Sequence, residues 1–207
     1  MAESVSETKQ RILESAKKEF LEKGFMNASL RTIASNAELT TGAMYRHFKD
    51  KDSLFCALVD KAIEFTVNTV MLADSAHHLD LDNIVSEKHF NEERKSTAEL
   101  LNYIFENFDI FTLLLTKSAG SSHENFQEEI CELYTKNCAQ TFNWMYKNQI
   151  STKKIDKMTV HFIASTLINA FVEIIIHKMS KKSAFQYIEN IESFTRSGMM
   201  HIMGIHG

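Results

Sequence analysis

The chain has no proline at any of its 207 positions and only six glycines. These two residue types most often interrupt helices and strands. No stretch shows the sustained alternation of apolar and polar residues that is typical of a half-buried strand, whereas apolar residues recur at helical spacing over most of the chain. The sequence therefore predicts an all-α fold.

Length, first residues and cysteine content indicate a protein of the reducing cytoplasm. A chain of this length forms one or two domains with a buried core. The start, MAESVSETKQ, lacks the basic and apolar segments of a signal peptide, and no run of about 18 apolar residues is present to span a membrane. Cysteine occurs three times, and Cys131 and Cys138 lie two helical turns apart. We expect buried thiols, with a redox switch as the alternative.

Residues 29–51, SLRTIASNAELTTGAMYRHFKDK, have the pattern of two short helices joined by a tight turn. Ser29 is a suitable N-cap for the first helix, and Asn36 offers turn chemistry because asparagine tolerates a left-handed backbone. Thr40 is a suitable N-cap for the second helix, which is expected to end near Phe48 after about two turns. A longer third helix is expected to begin where this stretch ends.

A short helix, a tight turn and a second short helix form the helix-turn-helix arrangement, which presents its second helix to the major groove of DNA. Met44 and Phe48 are four residues apart, so both can face inward and anchor that helix. Gly42 allows its backbone to approach another surface closely. The same pattern fits a corner between two helices of an ordinary bundle, so the spacing alone leaves both interpretations open.

The run TGAMYRHFKDKDSLF resembles the signature of the TetR family of bacterial transcriptional regulators. That signature places Gly, Tyr, Phe, Lys and Leu at fixed intervals, and this chain fills those places in register with Gly42, Tyr45, Phe48, Lys51 and Leu54. The upstream positions agree as well: Ile12, Ala16, Phe20, Gly24, Phe25, Ser29, Ile33, Ala34 and Ala37. The similarity is close over about the first 60 residues, and it implies a DNA-binding regulator.

The resemblance also implies a division into two domains. Residues 1–52 are expected to form a three-helix DNA-binding domain whose reading unit is 29–48. Residues 53–207 are expected to form a helical domain that binds a ligand and dimerises. A helix from residue 51 to about residue 76 links the two, so that a force on its far end tilts the DNA-binding domain.

The DNA contacts are predicted from chemistry and from matched family positions. Tyr45 and Lys51 resemble the phosphate-contacting Tyr and Lys of the family, and Arg46 is suited to a guanine or a phosphate. The small residues at positions 41 and 43 indicate that DNA shape supplies part of the specificity. The full predicted set is Arg31, Thr32, Thr40, Thr41, Gly42, Ala43, Tyr45, Arg46, His47, Lys49 and Lys51.

Charge is distributed unevenly along the chain. The net charge is −4, but Lys and Arg outnumber Asp and Glu by one over residues 1–50. Arg31, Arg46, Lys49 and Lys51 cluster around the predicted reading unit, where a local basic face can bind phosphates. The small excess indicates that binding uses few ionic contacts and two reading units acting together.

Candidate pocket residues come from the aromatic and soft side chains of the carboxy-terminal helices. A small-molecule pocket needs apolar and aromatic walls with a few polar groups, and members of the family are expected to keep an inducer there. Ordinary core packing explains the same residues, and both interpretations stay open. The candidates are Phe65, Tyr103, Phe111, Tyr134, Cys138, Phe142, Phe162, Asn169 and Glu173.

The segment 153–180 is apolar nearly all round, which predicts a helix that is buried on both sides. A narrow polar seam runs along it (His161, Ser165, Asn169, Glu173 and His177) and could line a cavity, cross-bond two subunits or be solvated. A last helix is predicted from Ser183. Doubled by a twofold axis, these two helices make a four-helix bundle, as in relatives of the family. The predicted dimer residues are Phe171, Ile175, Phe185, Ile188, Ile191, Met199 and Ile202.

The predicted function is a homodimeric repressor that a small hydrophobic ligand releases from a near-palindromic operator on double-stranded DNA. The alternative is a haem- or metal-responsive helical regulator using His161, His177 or the group His77, His78 and His89. The latter group lies in 75–95, a segment interpreted as a loop with one short helix and a solvated surface. No cofactor and no metal is expected. No nucleophile–base pair, phosphate loop or metal spacing is present, so the protein is not expected to be an enzyme.

Overall fold

A computed structural model of the protein describes residues 5–77 and 86–205. All regular secondary structure in those ranges is helical, which confirms the all-α prediction. The helices are α1 (Val5–Asn27), α2 (Leu30–Asn36), α3 (Thr41–Met44), α4 (Lys51–His77), α5 (Glu87–Glu106), α6 (Phe108–Thr116), α7 (Phe126–Lys147), α8 (Lys157–Ile176) and α9 (Lys181–Met203).

Residues 87–95 belong to the long helix α5 and not to a loop, so that part of the prediction is wrong. Their charged side chains obscured the helical pattern because they occupy the outer side of an amphipathic helix. Phe90 is buried on the inner side, together with Leu101 and Ile104 further along. Residues 78–85 of the predicted loop lie outside the described part of the chain.

Two predicted helix starts also differ. The sequence offers Ser121 and Glu124 as a capping box for a helix that runs to about residue 148, but α7 begins at Phe126. The Ser121 hydroxyl instead accepts from the His123 amide, and Glu124 Oε2 accepts from the Gly120 amide. The last helix is capped by Ser180 rather than started at Ser183, since the Ser180 hydroxyl accepts from the Ser183 amide. In neither case is the predicted serine the N-cap, because α7 begins well after Ser121 and α9 begins before Ser183.

Three helices end on a left-handed residue that is not glycine. Glu38, Gln149 and Lys178 follow α2, α7 and α8 with φ of 58°, 62° and 47°. After α2, the Glu38 amide donates to Ser35 O (3.0 Å) and the Leu39 amide to Ala34 O (2.9 Å). This is the double hydrogen bond of a Schellman motif, in which glycine is the usual residue. Asn36, the residue predicted to supply the left-handed turn, stays within α2.

We expect Gln149→Gly and Lys178→Gly each to stabilise the protein by about 0.5–1 kcal/mol. A non-glycine residue in the left-handed region costs roughly 1–2 kcal/mol, and the greater backbone freedom of glycine in the unfolded chain offsets part of the gain. Gln149→Ala and Lys178→Ala are the matched controls, because they shorten the side chain without relieving φ. Urea denaturation measures the difference, and equal stability of the Gly and Ala variants would contradict the expectation.

The chain divides into two compact units. Unit 1 comprises Met1–Glu64 and Asn107–Phe126, and unit 2 comprises Phe65–Glu106 and Gln127–Gly207. The boundary therefore falls within α4, between Glu64 and Phe65. The division at residues 52 and 53 stays a prediction from the sequence.

Unit 1 packs α2 and α6 against α1. At its centre three aromatic rings meet: Phe20 lies 5.9 Å from Phe25 and 5.3 Å from Phe55 between ring centroids, and Phe25 lies 5.4 Å from Phe55. Leu113 and Leu114 of α6 are also fully buried. Helix α6 is thus part of the core that supports the helix-turn-helix segment.

Unit 2 is built around α9, which packs against α8 and α5. One cluster of buried side chains joins α7, α8 and the end of α9 (Phe142, Met145, Val160, Ile163 and Met203). By length and composition alone, α8 is apolar enough to span a membrane, contrary to the expectation from the sequence. Buried core helices of proteins without a membrane segment pass the same test, and α8 buries seven of its side chains.

Candidate nucleic-acid interface

Helix α2 is fixed to α1 by hydrogen bonds from buried side chains. The Ser29 hydroxyl accepts from the Thr32 amide (3.3 Å), which confirms the predicted N-cap. The backbone amide of Ser29 donates to Glu19 Oε1 at 3.0 Å, and Glu19 is buried. The Ser15 hydroxyl donates to Ile33 O at 2.9 Å. The bonds from Glu19 and Ser15 fix the start and the middle of α2 to α1.

Glu19→Ala is expected to destabilise the protein by about 1–3 kcal/mol, because the half-buried Ser29 amide loses its acceptor. Glu19→Gln is the matched control, since the amide oxygen still accepts at the same place. Thermal unfolding followed by circular dichroism compares the two. Loss of the same stability in both variants would show that the carboxylate charge, and not the hydrogen bond to Ser29, is what matters.

Helix α3 is shorter than predicted. Its regular part covers Thr41–Met44, and the chain then continues in hydrogen-bonded turns, with the amides of His47 and Phe48 both donating to Met44 O at 2.9 and 3.1 Å. The Thr40 hydroxyl accepts from the Ala43 amide at 3.1 Å, which confirms that N-cap. The second turn of the predicted helix is therefore replaced by hydrogen-bonded turns.

One side of this element is buried and the other is open. Met44 and Phe48 are only 1% and 6% exposed, which confirms them as anchors. Thr40, Gly42, Tyr45 and Arg46 are exposed, whereas Thr41, Ala43 and His47 are half-buried. Tyr45 keeps 48% of its surface exposed although it is a large aromatic residue. A Cβ added at Gly42 would meet no atom within 4 Å, so the backbone there is open to an approaching surface.

The remaining predicted DNA contacts surround this side of α3. Arg31 and Thr32 are exposed on α2, and Lys49 is exposed before α4. The Asp50 carboxylate caps α4 by accepting from the Ser53 amide at 2.7 Å. That backbone hydrogen bond lowers the pKa of Asp50 below its usual value, so the carboxylate remains charged beside Lys49.

Lys51 has a structural role that the sequence did not reveal. Its Nζ donates to Met26 O (2.9 Å) and Ala28 O (3.4 Å) and lies 4.8 Å from the centre of the Phe25 ring. The side chain therefore joins the start of α4 to the end of α1. An ammonium group has three donors, so the phosphate contact predicted for Lys51 would require the donor that these two bonds leave.

The predicted pocket residues do not all belong to the same compact unit. Phe65 and Tyr103 stack with centroids 3.9 Å apart. The neighbouring Cys138 and then burial raise the pKa of Tyr134 well above its usual value. Phe142 is buried in the α7–α9 cluster. These five residues belong to unit 2.

The remaining pocket candidates differ in their surroundings. Phe111 is buried in unit 1, and its place in a pocket stays a prediction. Phe162 is 67% exposed, and Asn169 is exposed and accepts from the Gln127 side chain at 2.9 Å. Both lie on the outer side of α8 and do not line an enclosed cavity in the single chain. Glu173 pairs with His177 (Nε2 to Oε2, 2.8 Å) at the same surface.

Two predicted dimer residues are buried within the single chain. Ile175 and Ile188 are 3% and 2% exposed, because α8 and α9 pack against each other through them. Helical periodicity identified both residues as apolar, but it could not show whether a helix of the same chain or a second copy covers them. Phe171, Phe185, Ile191 and Met199 are half-buried, and Ile202 is exposed. The most exposed apolar residues of the two helices are Met158, Phe162, Ile176 and Phe194.

His89, His161 and His177 each lie close to a neighbouring polar side chain. His161 Nδ1 lies 3.3 Å from Thr135 Oγ1, and His177 pairs with Glu173. His89 lies 3.4 Å from Glu93 on the same helix. The side chain of His77 and all of His78 lie outside the described part of the chain. The polar seam of α8 is thus a partly solvated strip with local pairs.

Comparison with known proteins supports the resemblance seen in the sequence. The family model of the bacterial regulatory proteins, tetR family, matches residues 12–58. The HTH-type transcriptional repressor BepR of Brucella suis biovar 1 (strain 1330) is 39% identical over 67 residues, 32% of each chain. The probable HTH-type transcriptional regulator ArpR of Pseudomonas putida is 35% identical over 78 residues, 38% of this chain and 37% of its own. The chain thus matches about a third of the length of these curated relatives.

Solved structures are similar over nearly the whole chain. NalD of Pseudomonas aeruginosa, the secondary repressor of the MexAB-OprM multidrug efflux pump, superposes with a TM-score of 0.65 at 19% identity, covering 94% of this chain and 98% of NalD. The SmeT–triclosan complex gives 0.62 at 16% identity, covering 92% and 90%. At these identities the likeness concerns the fold.

Proposed function

We propose that this chain belongs to the TetR family of bacterial regulatory proteins, whose family model matches residues 12–58, and that it is a homodimeric DNA-binding transcriptional regulator. It acts as a repressor in the cytoplasm, on a near-palindromic operator, and a small hydrophobic ligand releases it. Its role is not enzymatic. Four features of the described residues support the proposal. They are the exposed side of α3, the basic residues around it, the exposed apolar residues of α8 and α9, and the aromatic residues of unit 2.

The observation that carries the proposal is the contrast between the two sides of α3. Met44 and Phe48 are buried against unit 1, whereas the side chains of Tyr45 and Arg46 are exposed on the opposite side of the element. Nothing in the packing of unit 1 requires a tyrosine and an arginine to be exposed next to a glycine with open space. A major groove needs such donors on a protruding helix.

The charge around α3 is suited to phosphates although the chain is acidic overall. Arg31, Arg46 and Lys49 are all exposed near the reading unit 29–48. Few ionic contacts per reading unit give a shallow salt dependence, with a slope of about −0.9 per phosphate contacted. Useful affinity then requires two reading units on one duplex, spaced by about 34–36 Å or a multiple of it.

Dimer formation is supported by apolar side chains that the single chain leaves open. Phe194 on α9 is 71% exposed, and Phe162 on α8 is 67% exposed. Ile202 lies two turns after Phe194 on the same helix and is 36% exposed. Exposed phenylalanines on two packed neighbouring helices are typical of a surface that a second copy covers. This surface replaces the buried Ile175 and Ile188 in the predicted interface.

A hydrophobic ligand is proposed for unit 2 because aromatic and soft side chains lie close together there. The Phe65–Tyr103 stack and the Tyr134–Cys138 pair supply apolar walls with a hydroxyl and a thiol. The fold relatives point the same way, since SmeT binds triclosan and NalD represses a multidrug efflux pump. Ligand binding would act through α4, which runs without interruption from Lys51 into unit 2.

The test is a gel-shift titration with a duplex enriched by the protein from a random pool. We expect a complex that resists excess nonspecific DNA and that hydrophobic compounds selected by thermal shift dissociate. Coupling of about 1–3 kcal/mol lowers DNA affinity 5- to 150-fold. Absence of any sequence-selective complex would contradict the DNA-binding role. If no stabilising compound weakens DNA binding, release by a ligand is contradicted, but the DNA-binding role is not.

A further inference from the structure

Three donor atoms of different chemistry meet at one place in unit 1. Cys56 Sγ, a carboxylate oxygen of Asp60 and a ring nitrogen of His123 all lie within 4.8 Å of one another. Cys56 and Asp60 are one turn apart on α4, and His123 lies in the segment between α6 and α7. Residues 61–122 separate the two parts in the chain, which explains why no spacing motif indicated this group.

Hydrogen bonds hold the two parts of the cluster together. The Ser122 amide donates to Asp52 Oδ1 at 2.8 Å, and Ser122 Oγ lies 3.4 Å from Cys56 Sγ. Asp52 Oδ2 lies 3.8 Å from the same sulfur. His123 Nε2 lies 3.3 Å from Asp60 Oδ1. The segment that carries His123 is therefore fixed against α4 by contacts that do not involve a metal.

The ligand set is one that a divalent transition-metal ion prefers. Zn²⁺ binds thiolate, imidazole and carboxylate at roughly 2.0–2.3 Å, which places the donors of a tetrahedral site about 3.5 Å apart. The pair His123–Asp60 already has that separation, at 3.3 Å. Rotation of the Cys56 and Asp60 side chains brings the remaining pairs, at up to 4.8 Å, into range. Asp60 is mostly exposed and His123 partly so, which leaves a path for the ion.

We propose that Cys56, Asp60 and His123 form a binding site for Zn²⁺ or a chemically similar divalent transition-metal ion. Asp52, whose Oδ2 lies 3.8 Å from the sulfur, supplies the fourth ligand directly or through a water molecule. The bound ion would join α4 to the segment between α6 and α7 within unit 1. The site is separate from the histidines of unit 2 and does not depend on the DNA-binding role.

Titration of the full-length protein with Co²⁺, which reports its own ligands by absorption, tests the site. We expect one equivalent to bind, with a sulfur-to-cobalt charge-transfer band and the visible bands of a tetrahedral ion, and Zn²⁺ to displace it. Zn²⁺ should also raise the midpoint of thermal unfolding. Cys56→Ser should abolish the charge-transfer band and weaken Zn²⁺ more than about 100-fold, since losing even an outer-shell partner costs about 10- to 100-fold.

His123→Gln is the second variant, and it should weaken Zn²⁺ to a similar extent while circular dichroism shows an unchanged fold. Cys138→Ser is the matched control, because it removes a half-buried thiol in unit 2. It should leave the band and the affinity intact. Absence of a charge-transfer band in the wild-type protein, or its persistence in Cys56→Ser, would overturn the proposal and leave a hydrogen-bonded surface cluster.

Discussion

Arg46→Ala is expected to lower the affinity of the dimer for its operator by about 30-fold to 10⁴-fold without unfolding the protein. A good arginine contact to a base is worth about 1–3 kcal/mol. The symmetric complex contains it twice, which gives roughly 2–6 kcal/mol. Arg46 is exposed and its neighbour Met44 anchors the element, so truncation leaves the packing of unit 1 unchanged. Fluorescence anisotropy with a labelled operator duplex measures the loss.

The matched control is Arg94→Ala, which makes the same change of charge on an exposed arginine of unit 2. It should alter operator affinity by less than about threefold, since a distant exposed charge is largely screened. Repeating the Arg46→Ala titration over a range of salt separates two roles. An unchanged salt slope indicates a base contact, and a slope reduced by about two indicates a phosphate contact in each half-site. Equal effects of the two variants would contradict the assigned role.

Phe194→Glu is expected to convert the dimer to a monomer and to lower operator affinity by about 10²- to 10⁴-fold. Burying one phenylalanine contributes about 1.5–3 kcal/mol, and a twofold interface buries two. The substitution also places two like charges in an apolar interface. Losing the dimer removes the effective concentration that lets the second reading unit bind, which accounts for the fall in DNA affinity. Sedimentation velocity measures the association state.

Because Phe194 is 71% exposed in the single chain, its replacement should leave the fold of each monomer intact. Tyr146→Glu is the control, since it introduces the same charge at an exposed aromatic residue of α7, outside the proposed dimer surface. It should remain a dimer. A dimeric Phe194→Glu protein, or a monomeric wild type at micromolar concentration, would contradict the proposed interface.

Local sequence features predicted local structure well. The caps at Ser29 and Thr40 and the anchors Met44 and Phe48 depend on residues within one or two turns, so their pattern is visible in the chain. Helical periodicity also located an apolar side on α8 and α9. It could not distinguish Ile175, which neighbouring helices cover, from Phe162, which they leave open, because that depends on packing between distant segments.

Two of the features that the sequence missed involve long-range contacts. Lys51 was matched to a phosphate contact, but its bonds to Met26 O and Ala28 O appear only when α4 and the end of α1 are brought together. The group formed by Cys56 and His123 likewise joins two segments far apart in the chain. The extent of α5 was missed for a different reason, since its many charges hide a helical pattern whose inner side is narrow.

The most direct test of the central claim is the symmetry of the DNA that the protein selects from a random duplex pool. If exposed donors on α3 read DNA as half of a dimer, sequencing after several rounds of selection should give two inverted half-sites whose centres lie one helical turn or a multiple apart. The Arg46→Ala protein should fail to enrich them. Enrichment of a single unpaired half-site, or of no sequence at all by the wild-type protein, would contradict the account.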